Sequence, residues 1–127
     1  MLWTIGTMAQ EHRPGPGELE DLLLQIAAGG REALADFYAA TRTAVYGLAL
    51  SYLKNGHDAE DVVQDTYIRV WDSAAGYQPH GKPMAWVLTI AKNFSLMHLR
   101  SREKMRDLSE GEWESLAIEA PAVTAED

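Results

Sequence analysis

Asp58-Ala-Glu-Asp-Val-Val-Gln-Asp-Thr-Tyr-Ile-Arg-Val-Trp71 decides how the rest of the chain is read. Val63, Tyr67, Val70, Trp71 and Ala74 recur at three- and four-residue spacing, which places them on one stripe of a helix. Asp61, Gln64, Asp65 and Asp72 fall largely off that stripe. Asp58 is expected to cap the helix, and Glu60 and Asp61 follow in the first turn, where the helix dipole favours negative charge. The segment is therefore an amphipathic helix with an acidic outer face.

Downstream, Gly76-Tyr-Gln-Pro-His-Gly-Lys-Pro83 breaks the period. Pro83 suits a first helical turn, where its missing N–H would have been unpaired in any case. Met84 to about Arg106 then reads as a helix roughly 35 Å long, with Trp86, Val87, Ile90, Phe94 and Met97 as its core stripe. Upstream, Arg31 to Leu53 carries Leu34, Phe37, Tyr38, Thr41, Val45, Leu48 and Tyr52 at helical spacing and closes at Lys54-Asn55-Gly56. Glu18 to Ala28 carries Leu19, Leu22, Leu23 and Ile26 and ends at Gly29-Gly30. The expected fold is all-α, a compact bundle of about four helices. Residues 1–17, which include Arg13-Pro-Gly-Pro-Gly17, read as a disordered leader, 18–106 as the helical domain, and 107–127 as an acidic linker or tail in which Trp113, Leu116 and Ile118 alone offer apolar surface. There is no β-alternation and no internal repeat.

The chain has 127 residues, enough for one core, and a net charge of −8. That average conceals segregation. From Lys82 to Arg106 the cations Lys82, Lys92, Arg100, Arg102, Lys104 and Arg106 stand against one anion, Glu103, whereas seven acids and no cation follow from Asp107 onward. Over a Debye length of about 8 Å the local sign decides which polymer is attracted. The absence of cysteine excludes disulfides and thiolate metal sites. No apolar run reaches the roughly 20 residues of a bilayer span, and the start lacks a secretory pattern, so a cytoplasmic location is expected. Met8 is an alternative initiator to Met1. With no Gly-rich phosphate loop, no two-His metal spacing and no carboxylate pair distinct from a charged face, catalysis and a cofactor are not expected.

The acidic helix followed by Ala85-Trp-Val-Leu-Thr-Ile-Ala-Lys-Asn-Phe-Ser-Leu-Met-His-Leu-Arg100 resembles region 2 of an extracytoplasmic-function sigma factor of the sigma-70 family, over about Leu19 to Arg102. The resemblance implies a sigma-2 helical domain that binds the RNA polymerase core and recognises and melts the promoter −10 element. It implies contact with the β′ clamp helices through Asp61, Gln64 and Asp65, whose successive placement on one face suits charge-assisted hydrogen bonds to Arg and Lys. It also implies a base flipped from the non-template strand, held by the loop Gln78 to Lys82 and by Lys82, Trp86, Lys92 and Asn93. Arg100, Arg102 and Lys104 would lie nearest phosphate. Asn93 offers a donor and an acceptor to a base edge, and the cations offer charge to the backbone.

Other readings stand beside these. Trp86 shares the side of Ile90 and Phe94, which favours core packing over base stacking. His80 and His98 read as surface residues rather than metal ligands, and Tyr77 is either a loop anchor or a DNA contact. Met97 stands where the family commonly has Asp. Nothing after Asp107 resembles the −35-reading helix-turn-helix domain, region 4, of the family. A sigma-like decoy that binds an anti-sigma factor is the alternative function, although it has no need of a basic helix.

Overall fold

Four α-helices and one 3-10 turn make up the regular structure of residues 14–108, the span that the computed structural model describes. Helix α1 is Pro16–Ala27, α2 is Arg31–Leu53, α3 is Gly56–Ser73, a 3-10 turn covers Ala74–Gly76, and α4 is Pro83–Leu108. The leader before residue 14 and the tail after Leu108, with Trp113, Leu116 and Ile118, lie outside the described residues.

The ends of the helices follow local chemistry. Helix α1 begins at Pro16, two residues earlier than the apolar period suggests, because proline at a first helical position loses nothing. The Glu18 carboxylate also accepts the otherwise orphan N–H of Gly15 at 3.0 Å. Helix α2 has the predicted bounds, and its left-handed terminal residue is Lys54 (φ 57°), whose N–H donates to the Leu50 carbonyl. Asp58 is not the cap of α3. That place belongs to Asn55, whose side chain accepts the Asp58 N–H at 2.9 Å, so Asp58 falls inside the first turn with its carboxylate free for another partner.

Helix α2 packs against each of the other three helices. Its buried residues, Ala33, Phe37, Thr41, Val45, Ala49 and Leu53, recur every fourth position, as do Pro83, Val87, Ala91 and Ser95 on α4. Between them lie Ala59, Val62, Val63, Thr66, Tyr67 and Val70 of α3. Alanine and serine at these contacts let helix backbones approach closely, and Phe37, Leu23 and Leu53 fill the wider spaces. The buried hydroxyls of Thr41, Thr66 and Ser95 each donate to the carbonyl four residues back.

Two stripe assignments are corrected. Met97 is 55% exposed and faces solvent, not the core, and Trp71 is 37% exposed at the edge of α3. Both sit about one position around the helix from a residue the core does take, so their hydrophobicity suggested a stripe wider than the packing.

Helices α3 and α4 run antiparallel, in a register set by three contacts. Arg102 meets Asp58, His98 Nε2 lies 4.0 Å from Asp65 Oδ2, and the Arg69 guanidinium sits 5.5 Å from the centre of the Phe94 ring.

Candidate functional site

The outer face of α3 carries Asp61 and Gln64 exposed and Asp65 half-exposed, one turn apart. The structure thus brings all three onto one accessible patch. A shallow apolar groove adjoins it between α2 and α3, edged by Leu34, Tyr38, Ile68 and Trp71 and bordered by Glu60 and Gln64. Ile68 is 61% exposed. Sequence reasoning missed this groove, although the i+4 step from Gln64 to Ile68 carried the signal.

On α4 the predicted residues separate into three positions. At 3.6 residues per turn, Trp86, Asn93, Arg100 and Lys104 fall within about 40° of one another and form a line about 27 Å long that runs from the edge of the core at Trp86 to solvent. Asn93, Arg100 and Lys104 are exposed, as is Lys82 just before the helix, whose carbonyl accepts the Trp86 N–H. Exposed Lys92 lies roughly a quarter turn to one side of that line. Arg102 lies on the opposite side and is engaged internally: its guanidinium donates to Asp58 Oδ2 at 2.6 and 3.1 Å and to the Leu53 carbonyl at 2.8 Å. It therefore neutralises an α3 carboxylate and satisfies a carbonyl at the end of α2, so it stands apart from the other cations. Among the described residues no ion pair engages Lys82, Lys92, Arg100 or Lys104.

Trp86 is half-buried and does two things. One side of it meets the Tyr77 ring edge-to-face, with centroids 5.2 Å apart. The other lines a cleft with His80, Lys82, Ala85, Thr89 and Ile90. The cleft thus has an aromatic wall, a lysine at its rim and Asn93 two turns further along α4. Such a site can take a planar apolar face and offer polar groups to its edge.

Tyr77 proves to be a loop anchor. It is buried, and its hydroxyl donates to Glu20 Oε2 of α1 at 2.6 Å. The Gly81 N–H donates to the same oxygen at 2.6 Å, at a residue whose φ of +80° only glycine adopts without strain. The Tyr77 hydrogen bond, foremost, and the Gly81 N–H hold the Glu20 carboxyl below its ordinary pKa. Removal from water and the Glu20 carboxylate raise that of Tyr77. Glu20 was invisible to sequence reasoning, because nothing local links it to a residue 57 positions away.

His80 is exposed as expected, whereas His98 is half-buried between α3 and α4 beside Asp65. The His80 Nδ1 accepts the Lys82 N–H at 3.2 Å, and among the described residues no group of three or more His, Asp or Glu is placed to hold a metal ion. No helix among them is long and apolar enough to cross a membrane.

The family model described as Sigma-70 region 2 matches residues 37–105. The chain is 37% identical over 106 residues to the ECF RNA polymerase sigma factor SigK of Mycolicibacterium vanbaalenii, covering 83% of this chain and 54% of that protein. It is 40% identical over 87 residues to the protein of the same name from Mycobacterium sp. strain KMS, covering 68% and 45%, and 39% identical over 92 residues to that of Mycobacterium ulcerans, covering 69% and 49%. The chain spans about half the length of these relatives. No solved structure shows significant similarity to it.

Proposed function

The chain belongs to the sigma-70 family, as region 2 of the extracytoplasmic-function type, and from that premise we propose that it docks on the RNA polymerase core through α3 and holds unpaired promoter −10 DNA along α4. The observation that carries this reading is the line of half-buried Trp86 and exposed Asn93, Arg100 and Lys104, continuous with the cleft under Lys82. A single strand needs an aromatic surface for a base, a polar group for its edge and cations at phosphate spacing, and that line offers them in order. Lys92 reaches phosphate from the flank, and Arg102 braces the helix instead of touching DNA.

On α3, Asp61, Gln64 and Asp65 present two carboxylates and an amide to the Arg and Lys side chains of the β′ clamp helices, and the adjoining apolar groove excludes water from those pairs. The domain binds and positions without catalysing a reaction, and its partners place its work in the cytoplasm. The decoy reading, capture of an anti-sigma factor, leaves the α4 line without a purpose.

The deciding experiment is capture of core polymerase by the chain with Asp61, Gln64 and Asp65 all changed to Ala. All three are solvent-facing, so helicity and melting temperature should hold while capture is lost. Undiminished capture overturns the polymerase half of the proposal. Failure of the unaltered chain to bind single-stranded DNA, even in dilute salt, overturns the other half and favours the decoy.

A further inference from the structure

We propose that Glu20 of α1 is a positioning residue that sets the shape of the base-holding cleft through the loop 77–82. This inference rests on the reading of that cleft given above. The loop joins the 3-10 turn to α4 and makes few hydrogen bonds of its own: the Tyr77 N–H to the Ala74 carbonyl and the Lys82 N–H to His80 Nδ1. Its two ends are tied instead to one atom. Glu20 Oε2 accepts the hydroxyl of Tyr77, at the entry, and the N–H of Gly81, at the exit, each at 2.6 Å. Short bonds to an ionised acceptor are stronger than neutral ones, so a single carboxylate closes the loop upon itself.

The loop then passes that position to the cleft. The Tyr77 ring stands 5.2 Å from Trp86 and 5.0 Å from His80, and both of those residues line the cleft. Moving Tyr77 moves the aromatic wall, and moving Gly81 moves Lys82, whose carbonyl starts α4. A carboxylate beside a phosphate-binding surface would ordinarily repel DNA. This one accepts hydrogen bonds from two donors of the protein itself, the Tyr77 hydroxyl and the Gly81 N–H. Glu20 thus touches no nucleotide and affects base recognition only through Tyr77, Trp86 and Gly81.

The test separates positioning from simple stapling. The full chain is titrated with short single strands made of each of the four bases and with the matching abasic backbone, for the unaltered protein, Glu20→Ala, Tyr77→Phe and Asp21→Ala. Asp21 is exposed on the same helix and removes the same charge, so it controls for electrostatics. The ratio of base-bearing to abasic affinity should fall about tenfold in Glu20→Ala, the equivalent of one lost hydrogen bond's worth of positioning, and less in Tyr77→Phe. Asp21→Ala should leave the ratio unchanged. In parallel, amide hydrogen exchange at Gly81 should be slow in the unaltered chain and faster in Glu20→Ala. An unaltered ratio in Glu20→Ala, or a Gly81 amide that exchanges equally fast in both proteins, overturns the inference alone. An unaltered chain that does not distinguish base from abasic backbone overturns the DNA reading, and this inference falls with it.

Discussion

Arg102 and Asp58, 44 residues apart in sequence, form the ion pair that fixes where the end of α4 meets the corner between α2 and α3. The same guanidinium reaches the Leu53 carbonyl, so one planar fork joins three helices. Arg102→Ala should therefore lower the urea midpoint, by the equivalent of about 1–2 kcal/mol of unfolding free energy once solvent screening of this part-exposed pair is allowed for. Arg102→Lys should recover only part of that loss, because an ammonium can meet the two acceptors that Nη2 serves but lacks the Nε donor to Asp58 and the reach of the guanidinium. A midpoint unmoved by either change would remove the bracing role and return Arg102 to the phosphate-contacting set.

Tyr67 and Thr41 share a hydroxyl–hydroxyl bond of 2.5 Å inside the bundle, with Tyr38 packed edge-to-face on the same ring at 4.8 Å. Burial, ahead of the neighbouring Tyr38, pushes the Tyr67 pKa up to about 12, against the lowering effects of Thr41 and Arg42. A tyrosine that ionises more readily when unfolded favours the folded state below the unfolded pKa near 10, and that contribution is lost as pH rises from about 10 towards 12. Alkaline titration followed by tyrosinate absorbance should show a group ionising near 12 that disappears in Tyr67→Phe, while the delayed ionisation of Tyr77 remains.

Thr41→Val keeps the shape of the core but strands the Tyr67 hydroxyl. The expected cost is about 1–3 kcal/mol, that of a buried polar group left without its partner. Phe37→Ala, which empties the largest fully buried side-chain volume, should cost about 3–5 kcal/mol. If thermal denaturation ranked these two substitutions in the opposite order, the core would be packed differently from the arrangement described here.

Met97→Asp makes a sharper test of the outer face of α4. A core methionine replaced by a carboxylate would unfold the domain, whereas a residue 55% exposed should tolerate it within about 0.5 kcal/mol. The added anion beside Asn93 and Arg100 should weaken single-strand binding, most visibly at low salt.

Asn93→Ala and Lys104→Ala should fail in different ways. Loss of the amide should weaken binding while leaving the slope of affinity against salt unchanged. Loss of the lysine should weaken binding less selectively and flatten that slope by about 0.7, one phosphate contact on a single strand. Equal slopes for both variants would count against assigning Lys104 to the backbone.

The sequence by itself determined the four helices, their order, the bounds of α2 and the acidic and basic faces of α3 and α4, because helical periodicity and charge segregation are written in neighbours three and four apart. It misjudged the width of the core stripes at Trp71 and Met97 and overlooked Ala33, Ala49, Ala91 and Ser95. Small residues give no hydrophobic signal even where they let backbones meet. Tertiary structure alone decided which cations stay outward and which turn inward, since Arg100 and Arg102 are two positions apart and differ in what the antiparallel register sets beside them. It alone placed Glu20 under the loop at Tyr77 and Gly81. Contacts between residues far apart in sequence depend on how helices cross, and no local pattern encodes a crossing.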